Sequence, residues 1–289
     1  MKVLRLPVEM RKFLVFLFFS VAAAGVLSSA EAFEVQADPT VIIPGDAFLV
    51  RVSGVKGITS PAISFNKRML PAASCGDGCF FAIGATDSKA GPGKRRLEVK
   101  IGAKRKSLPI VIQRHAFREI DLTLPPGKVT LSREDSERAE REDRLLKSLW
   151  TQQTGKAWQG SFSLPLNNEI SAQYGIKRTI NRNKESIHGG IDIRGREGED
   201  VLASNSGTVV LAEELFFGGN TVVLDHGMGI FTVYMHLSGF NRKVGEVVSK
   251  SDVIGFVGST GRSTGPHLHF GIKAQELSVN PESFVKLKL

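Results

Sequence analysis

The sequence lacks a hydrophobic run long enough to cross a membrane as a helix. A spanning helix needs roughly 20 apolar residues, and the longest apolar run, residues 13–27, is shorter than that. None of the 30 glycines belongs to a Gly-x-Gly-x-x-Gly or P-loop pattern. The usual dinucleotide and nucleoside triphosphate sites are therefore excluded.

The first 32 residues have the composition of a secretory signal peptide. Four basic residues precede the apolar run, and Ala30-Glu-Ala32 follows it as an Ala-x-Ala cleavage site. We expect residues 1–32 to be removed after Ala32, leaving a chain that is soluble outside the cytoplasm. The alternative is an uncleaved anchor. Because no surface-anchoring motif or wall-binding repeat is visible, the periplasm is the preferred location over a cell-wall or extracellular one.

Cysteine is scarce: Cys75 and Cys79 are the only two, and they bracket Gly-Asp-Gly. In an exported protein such a pair favours a disulfide that closes a tight loop at a hairpin tip. A metal site is the other option, although two thiolates without neighbouring histidines would be incomplete. A disulfide over so short a loop would pin the loop more than the domain.

Charge is unbalanced toward the basic side, with 38 Lys and Arg against 29 Asp and Glu, a formal net charge of +9. A basic protein outside the membrane is attracted to anionic polymers or lipid head groups. No nucleic-acid-binding motif accompanies this charge, so we expect no nucleic acid partner.

The order of patterns along the chain predicts an all-β protein of two domains with a helical linker. Short β-branched segments separated by turn signals such as Pro44-Gly45 predict an immunoglobulin-like β-sandwich over residues 33–118. Residues 119–158 are predicted to be a linker, and residues 159–289 a second domain of strands and glycine turns.

Within the linker, residues 132–150 are dense in mixed charge and contain neither Gly nor Pro. Ser132 followed by acidic residues is typical of a helix N-terminus, and Glu-to-Arg pairs at spacing four favour an exposed helix. This helix either is a solvated connector or lies near a groove and regulates access to it.

Five of the six histidines lie between residues 188 and 269. Zn²⁺ binds nitrogen and oxygen ligands tetrahedrally, and a catalytic site uses three protein ligands and leaves the fourth position to water. Two histidines with Asp192 would satisfy that count. The His-Glu-x-x-His helix of many zinc proteases is absent, so a general base must come from other histidines. The separate residues His115 and His226 are interpreted as non-functional, His226 as a turn residue.

Strand spacing suggests how these side chains meet. Gly-Ile-Asp-Ile-Arg around Asp192 alternates as a strand does, and His267 and His269 flank Leu268, so both can face one groove. One of the two would bind the metal. The other, with His236, would take protons.

The ordered motifs resemble the M23 family of zinc metallopeptidases, of lysostaphin and LytM type, over roughly residues 160–285. The motifs that carry the resemblance are His188-x-x-x-Asp192, Tyr234-x-His236-Leu237, Gly258-Ser-Thr-Gly261 before His267-x-His269, Tyr174-Gly-x-x-Arg178, Asp225-His-Gly, Val244-Gly-x-Val before Ile254-Gly, and Asn280-Pro281. Two positions depart from the family: Gly271 stands where Glu is frequent, and Tyr174 where Phe is usual.

The resemblance implies an antiparallel β peptidase domain of LytM type that encloses a groove. It implies one Zn²⁺ held by His188, Asp192 and His269, with His236 and His267 as the catalytic histidines. The implied activity is hydrolysis of peptide cross-links or stem peptides in bacterial peptidoglycan. Because all five positions are filled, we expect an enzyme.

Several alternatives remain at the level of sequence. One is a non-catalytic module that binds the wall or activates another cell-wall hydrolase, and another is a secreted protease that acts on other proteins. A regulatory envelope protein is a further expected partner. Arg178, next to the metal motif, either meets a substrate carboxylate or bridges loops.

Overall fold

A computed structural model describes residues 33–55, 57, 60–122, 131–181 and 184–289. The predicted signal peptide, residues 1–32, lies outside the described residues. Residues 33–289 form one compact unit. Its described part is mostly β, as expected, with two helices, α1 (Arg133–Trp150) and α2 (Pro281–Phe284). No helix in these ranges is long and apolar enough to span a membrane.

The N-terminal part consists of two sheets that share one hydrophobic core. Its strands are β1 (Glu34–Asp38), β2 (Val41–Ile42), β3 (Ala47–Ser53), β4 (Ala62–Phe65), β5 (Arg68–Leu70), β6 (Ala73–Gly76), β7 (Cys79–Ala85), β8 (Gly93–Ile101) and β9 (Lys104–Ile112). One sheet has the order β1-β3-β7-β6 and the other β2-β9-β8-β4-β5. Only the short β2–β9 pair is parallel among them. The immunoglobulin-like assignment of this pair of sheets stays a prediction.

A disulfide joins Cys75 and Cys79 across the β6–β7 hairpin. The tight loop between two adjacent strands brings the sulfur atoms together, which confirms the interpretation of this pair. The site of the bond is local, so its effect is confined to the hairpin.

Strands β3 and β7 are buried on both faces because their residues alternate between two cores. Phe48 and Val50 point into the core shared by the two N-terminal sheets. Leu49, Phe81 and Ile83 point the other way, into the core of the C-terminal part. There the ring of Phe81 meets the ring of Trp158 edge to face at 6.4 Å. The N-terminal part therefore packs directly on the sheet that carries the histidines.

The C-terminal part is built on a 10-stranded sheet. Its main path runs β11-β14-β21-β18-β17-β16-β19, with β15, β20 and β22 added at its side. The strands are β11 (Ile170–Ala172), β14 (Gly190–Arg194), β15 (Asp200–Leu202), β16 (Gly207–Leu215), β17 (Gly219–Gly227), β18 (Ile230–Phe240), β19 (Val247–Val248), β20 (Val253–Val257), β21 (His267–Ala274) and β22 (Leu277–Val279). All of its pairings are antiparallel.

A further three-stranded sheet, β10 (Glu119–Leu122), β12 (Lys177–Ile180) and β13 (Lys184–Ile187), ties the linker to the C-terminal part. Strand β10 pairs with β12 in parallel. The start of the predicted linker is thus part of a sheet, and it lies beside the strand that carries Arg178.

Helix α1 begins where the sequence predicts: the side chain of Ser132 accepts a hydrogen bond from the backbone N–H of Asp135. Its last turn is not solvated, because Leu149 and Trp150 are buried against the sheet. The ring of Trp150 packs edge to face on Phe231 at 5.3 Å. The interpretation of α1 as a solvated connector is therefore wrong for its C-terminal turn.

Candidate metal centre

Two neighbouring strands of the large sheet bring Asp192 and His269 together. Strands β14 and β21 pair so that Asp192 lies directly opposite His269, and Arg194 opposite His267. Side chains on opposed residues of an antiparallel pair lie on the same face. As expected from the spacing, His267 and His269 share that face with the carboxylate.

His188 reaches the same point from the loop before β14. Its Nδ1 lies 2.7 Å from the carbonyl oxygen of Gln173. A neutral imidazole that donates from Nδ1 leaves the Nε2 lone pair free. That Nε2 atom lies 2.9 Å from Oδ1 of Asp192 and 3.0 Å from Nδ1 of His269. The backbone carbonyl thus fixes both the tautomer and the orientation of the ring.

The three donor groups have the composition and spacing of a transition-metal site. Nδ1 of His269 lies 2.8 Å from Oδ1 of Asp192, so all three separations are close to 3 Å. Tetrahedral bonds of about 2.0–2.1 Å would place the ligand atoms about 3.3 Å apart. Small outward shifts of these side chains would admit a zinc ion, and the residues fit that metal.

The electrostatics of the cluster favour an ionised carboxylate. Burial opposes ionisation of Asp192, but the hydrogen bonds to His188 and His269 outweigh burial and hold the pKa of this carboxyl far below its usual range. Burial lowers the pKa of His269, although its contact with Asp192 acts in the opposite direction. Metal binding needs the same ionised carboxylate but no proton on the facing ring nitrogens, so a bound cation would take the place of the protons that Asp192 accepts from His188 and His269.

His236 enters the site through an irregularity in strand β18. Residues Met235 and His236 together oppose only Thr221 of β17, which makes a β-bulge. The backbone of His236 has φ 65°, in the left-handed region that few non-glycine residues adopt. Bulges re-aim side chains next to active sites. Here the bulge places the ring of His236 4.8 Å from that of His267, measured between centroids.

Backbone carbonyls orient the two histidines that are not predicted ligands. Nδ1 of His236 lies 2.9 Å from the carbonyl oxygen of Thr260, and Nδ1 of His267 lies 2.8 Å from that of Gly265. Each ring therefore presents a free Nε2, and Nε2 of His267 lies 3.9 Å from Oδ1 of Asp192. Burial lowers the pKa of His236 to about 4, so this imidazole is neutral at neutral pH.

Gly190, at the start of β14, is required by the closeness of the two strands. A Cβ atom built there would lie 2.3 Å from the carbonyl oxygen of Phe270 and 2.9 Å from Nε2 of His269. Any side chain would displace the ring that faces Asp192. The adjacent Gly189 has room, since its nearest neighbour would be Oγ of Ser278 at 3.5 Å.

A cleft of about 640 Å³ opens above the five residues. Helix α1 forms one wall with Ala139, Glu142, Asp143 and Leu146, and Arg178 and Arg262 line the same cleft. The helix therefore lies beside the groove, and regulation of access to the groove stays a prediction. Glu142 fastens the helix there, because its Oε2 accepts a hydrogen bond of 2.7 Å from the backbone N–H of Phe216.

The other two histidines lie elsewhere. His226 is in strand β17 and not in a turn, and it is fully buried between the carbonyl oxygen of Ser206 and Oγ1 of Thr232, both at 2.7 Å. His115 contacts only the ring of Phe117, at 4.7 Å, among the described contacts. Sequence reasoning missed Glu142 and Arg262, which carry no motif of their own.

Residues 186–281 match the model of peptidase family M23. The chain carries an M23 domain. All five predicted site residues lie within the matched range, and Asn280-Pro281 is at its end.

Curated relatives of the M23 domain include proteins from several bacteria. DD-carboxypeptidase/endopeptidase Mpg of Neisseria meningitidis is 40% identical over 114 residues, which cover 39% of this chain and 26% of the relative. Peptidoglycan DD-endopeptidase ShyA of Vibrio cholerae is 41% identical over 93 residues, 32% of this chain and 22% of the relative. This chain thus spans about a quarter of the length of these relatives.

Among solved structures, a putative peptidase M23 from Pseudomonas aeruginosa has a TM-score of 0.65 and 23% identity. The superposition covers 84% of this chain and 94% of that protein. At this identity the likeness concerns the fold. Its coverage is too wide for the M23 domain alone, so the fold is shared beyond that domain.

Proposed function

We propose that the protein is a zinc-dependent endopeptidase that hydrolyses peptide bonds of bacterial peptidoglycan, in its cross-links or stem peptides. The observation that carries the proposal is the convergence of His188, Asp192 and His269 beneath a cleft, with His236 and His267 beside them. The names of the relatives Mpg and ShyA, a carboxypeptidase/endopeptidase and a peptidoglycan endopeptidase, support the reaction and the substrate.

The proposed ligands are Nε2 of His188, Nδ1 of His269 and the carboxylate of Asp192. When bound, zinc would polarise the scissile carbonyl and lower the pKa of a water molecule to about 7. The carbonyl of Gln173 keeps His188 in the required tautomer. Hydrogen bonds to ligand residues of this kind typically contribute about 10–100-fold in metal affinity or activity.

In this proposal His236 and His267 move the protons. Because each donates Nδ1–H to a backbone carbonyl, Nε2 can accept a proton from the attacking water. Once protonated, the same nitrogen becomes a donor, either to the developing oxyanion or to the leaving amine. The rings lie side by side, so whichever histidine has taken the proton of the water can, as an imidazolium, donate that proton from Nε2.

A non-catalytic binding or activating module is the less favoured function. Such a module needs neither the complete donor set nor two further histidines with fixed tautomers. The disulfide in the N-terminal part is in keeping with the expected location outside the cytoplasm, in the periplasm or at the wall. A regulatory envelope protein would bind α1, which lies at the edge of the cleft.

The test is digestion of purified cross-linked peptidoglycan by the zinc-loaded protein, with mass spectrometry of the released fragments. We expect newly cut peptide bonds that are absent when zinc is chelated and absent with His269→Ala. Unfolded casein, assayed in parallel, separates a wall hydrolase from a general secreted protease. A folded, zinc-loaded protein that releases no fragment contradicts the proposal and favours the binding or activating role.

A further inference from the structure

Two arginines line the cleft beside the candidate metal centre. Arg178 projects from β12, and its Nη2 lies 3.7 Å from Oδ2 of Asp192. Arg262 belongs to the loop that precedes β21, and its guanidinium stacks on the ring of Phe217 at 4.3 Å. The backbone N–H of Arg262 also donates to the carbonyl of Phe217, which fixes the base of the side chain.

The acidic groups of the same cleft already have partners. Oε1 of Glu142 accepts from Arg138 at 2.7 Å, and its Oε2 accepts from the backbone of Phe216. Asp143 pairs with Lys147 at 2.6 Å. The third acid, Asp192, is the proposed zinc ligand. The negative charge that lines the cleft is therefore committed to other groups.

The two guanidinium groups are not neutralised in this way. Among the described residues, no carboxylate lies within 4.0 Å of Arg262, and Asp192 is the only one that approaches Arg178. Burial, together with the charge of Arg178, lowers the pKa of Arg262, so the two cations that line the cleft repel each other. Both stay protonated, because an arginine side chain titrates far above neutral pH.

Guanidinium groups placed in this way, one without a carboxylate partner among the described residues and the other near only the proposed zinc ligand Asp192, have a specific chemical preference. Their planar forks bind a carboxylate through two parallel N–H···O bonds, and stacking on an aromatic ring holds such a fork in place. A carboxylate between Arg178 and Arg262 would remove their mutual repulsion. It would also lie next to the zinc ligands, and so close to the scissile bond.

We propose that Arg178 and Arg262 form a carboxylate-binding subsite that selects peptides carrying a free carboxylate next to the bond that is cut. This inference rests on the proposed peptidase function and narrows its substrate class. The carboxylate can come from a C-terminal residue or from the side chain of an acidic residue in a stem peptide. The two sources share one chemistry and are separated by the substrates of the test.

The experiment uses two pairs of synthetic peptides with the sequence of a peptidoglycan stem peptide. In one pair the C-terminus is a free acid or an amide, and in the other a side-chain carboxylate is free or amidated while the C-terminus is blocked. We expect one free acid to exceed its amide by about 10- to 100-fold in kcat/KM, the range of a charged hydrogen bond. The pair that shows the preference identifies the source.

Variants of Arg178 and Arg262 test whether these residues cause the preference for the acid over the amide. In Arg262→Gln the ratio of acid to amide should collapse toward one. The matched control is Arg242→Gln: Arg242 lies 3.8 Å from Asp252 and lines a different cleft, so the ratio should be kept. For Arg178→Gln, both the ratio of acid to amide and the affinity for zinc are measured. An unchanged ratio with weaker zinc binding would show that Arg178 only positions Asp192, and would remove it from the subsite.

Calorimetric titration of each peptide into the protein keeps the inference testable without turnover. If the protein cleaves neither peptidoglycan nor the peptides, the proposed function fails, but stronger binding of the acid than of the amide still supports the subsite. Equal kcat/KM and equal Kd for acid and amide in both pairs would refute the subsite and leave the peptidase function untouched.

Discussion

Replacement of Asp192 by asparagine tests the metal centre most directly, because it removes a charge while the shape is kept. Zinc sites with four protein ligands provide about 10–16 kcal/mol, or roughly 3 kcal/mol for each ligand. Loss of one ligand of this size corresponds to a Kd about 100-fold higher, since 1.4 kcal/mol is about tenfold. The neutral amide oxygen should therefore bind zinc far more weakly than the carboxylate.

This difference is measurable as metal-linked stability. At free zinc of about 1,000 times Kd, binding stabilises the native protein by about 4 kcal/mol, and after a 100-fold loss of affinity by about 1.4 kcal/mol. At about 2–4 °C per kcal/mol, the rise in Tm caused by zinc should be about 5–10 °C smaller in Asp192→Asn.

The assay is thermal unfolding with buffered zinc and with chelator, scored as the difference between the two. The difference matters because the metal-free variant also loses the contacts of the carboxylate with His188 and His269. Asp200→Asn, an exposed aspartate on neighbouring β15, is the matched control and should keep the full zinc effect. An equal rise in Tm for Asp192→Asn and the wild type would refute the ligand assignment.

Three further predictions concern packing, the helix and pH. Gly190→Ala should lose about 1–3 kcal/mol of stability to overpacking and most of its zinc affinity, whereas Gly189→Ala should keep both, as measured by denaturant unfolding and zinc titration. Trp150→Ala should lower the free energy of unfolding by about 3–5 kcal/mol. Leu145→Ala, on the exposed side of α1, should lower it much less. Equal losses in the two variants would contradict the docking of the helix. Burial lowers the pKa of His226 from about 6.5 in the unfolded chain to about 4 in the folded protein. Its contribution to the free energy of unfolding is therefore fully present above about pH 6.5, and that free energy should fall by roughly 3 kcal/mol as the pH drops from about 6.5 to about 4. Urea unfolding across this pH range should show this loss of stability in the wild type and a smaller loss in His226→Gln. The same loss in both proteins would contradict the prediction.

Local patterns predicted much of the fold. Runs of β-branched residues that begin at Gly207, Asn220 and Ile230 correspond to strands β16, β17 and β18. Ser132 caps α1, and the pair Cys75–Cys79 forms the disulfide. In each case the physical cause lies within a few residues, in alternation, in a capping oxygen or in a short loop, so it can be recognised without the tertiary structure.

Features that depend on distant segments escaped prediction. The bulge that turns His236 into the cleft arises from a mismatch between β17 and β18, and no residue in Tyr-Met-His-Leu signals it. The proposed role of Arg262 depends on its position beside Arg178 and Phe217, which are remote from it in sequence. The docking of α1 does have a signal in the sequence, because Leu146, Leu149 and Trp150 form an apolar strip on a helix that is otherwise charged.

Because strands β3 and β7 are covered on both faces, they join the N-terminal part of the molecule to the C-terminal part through both cores. Separation at this plane would expose Leu49, Phe81 and Ile83, at about 1.5–3 kcal/mol for each side chain. The sum approaches the entire folding free energy of an ordinary domain. Swinging of one half against the other is therefore not available as a way to admit substrate. If a cell-wall strand is the substrate, as proposed, it has to reach the cleft without a movement of one half of the molecule against the other.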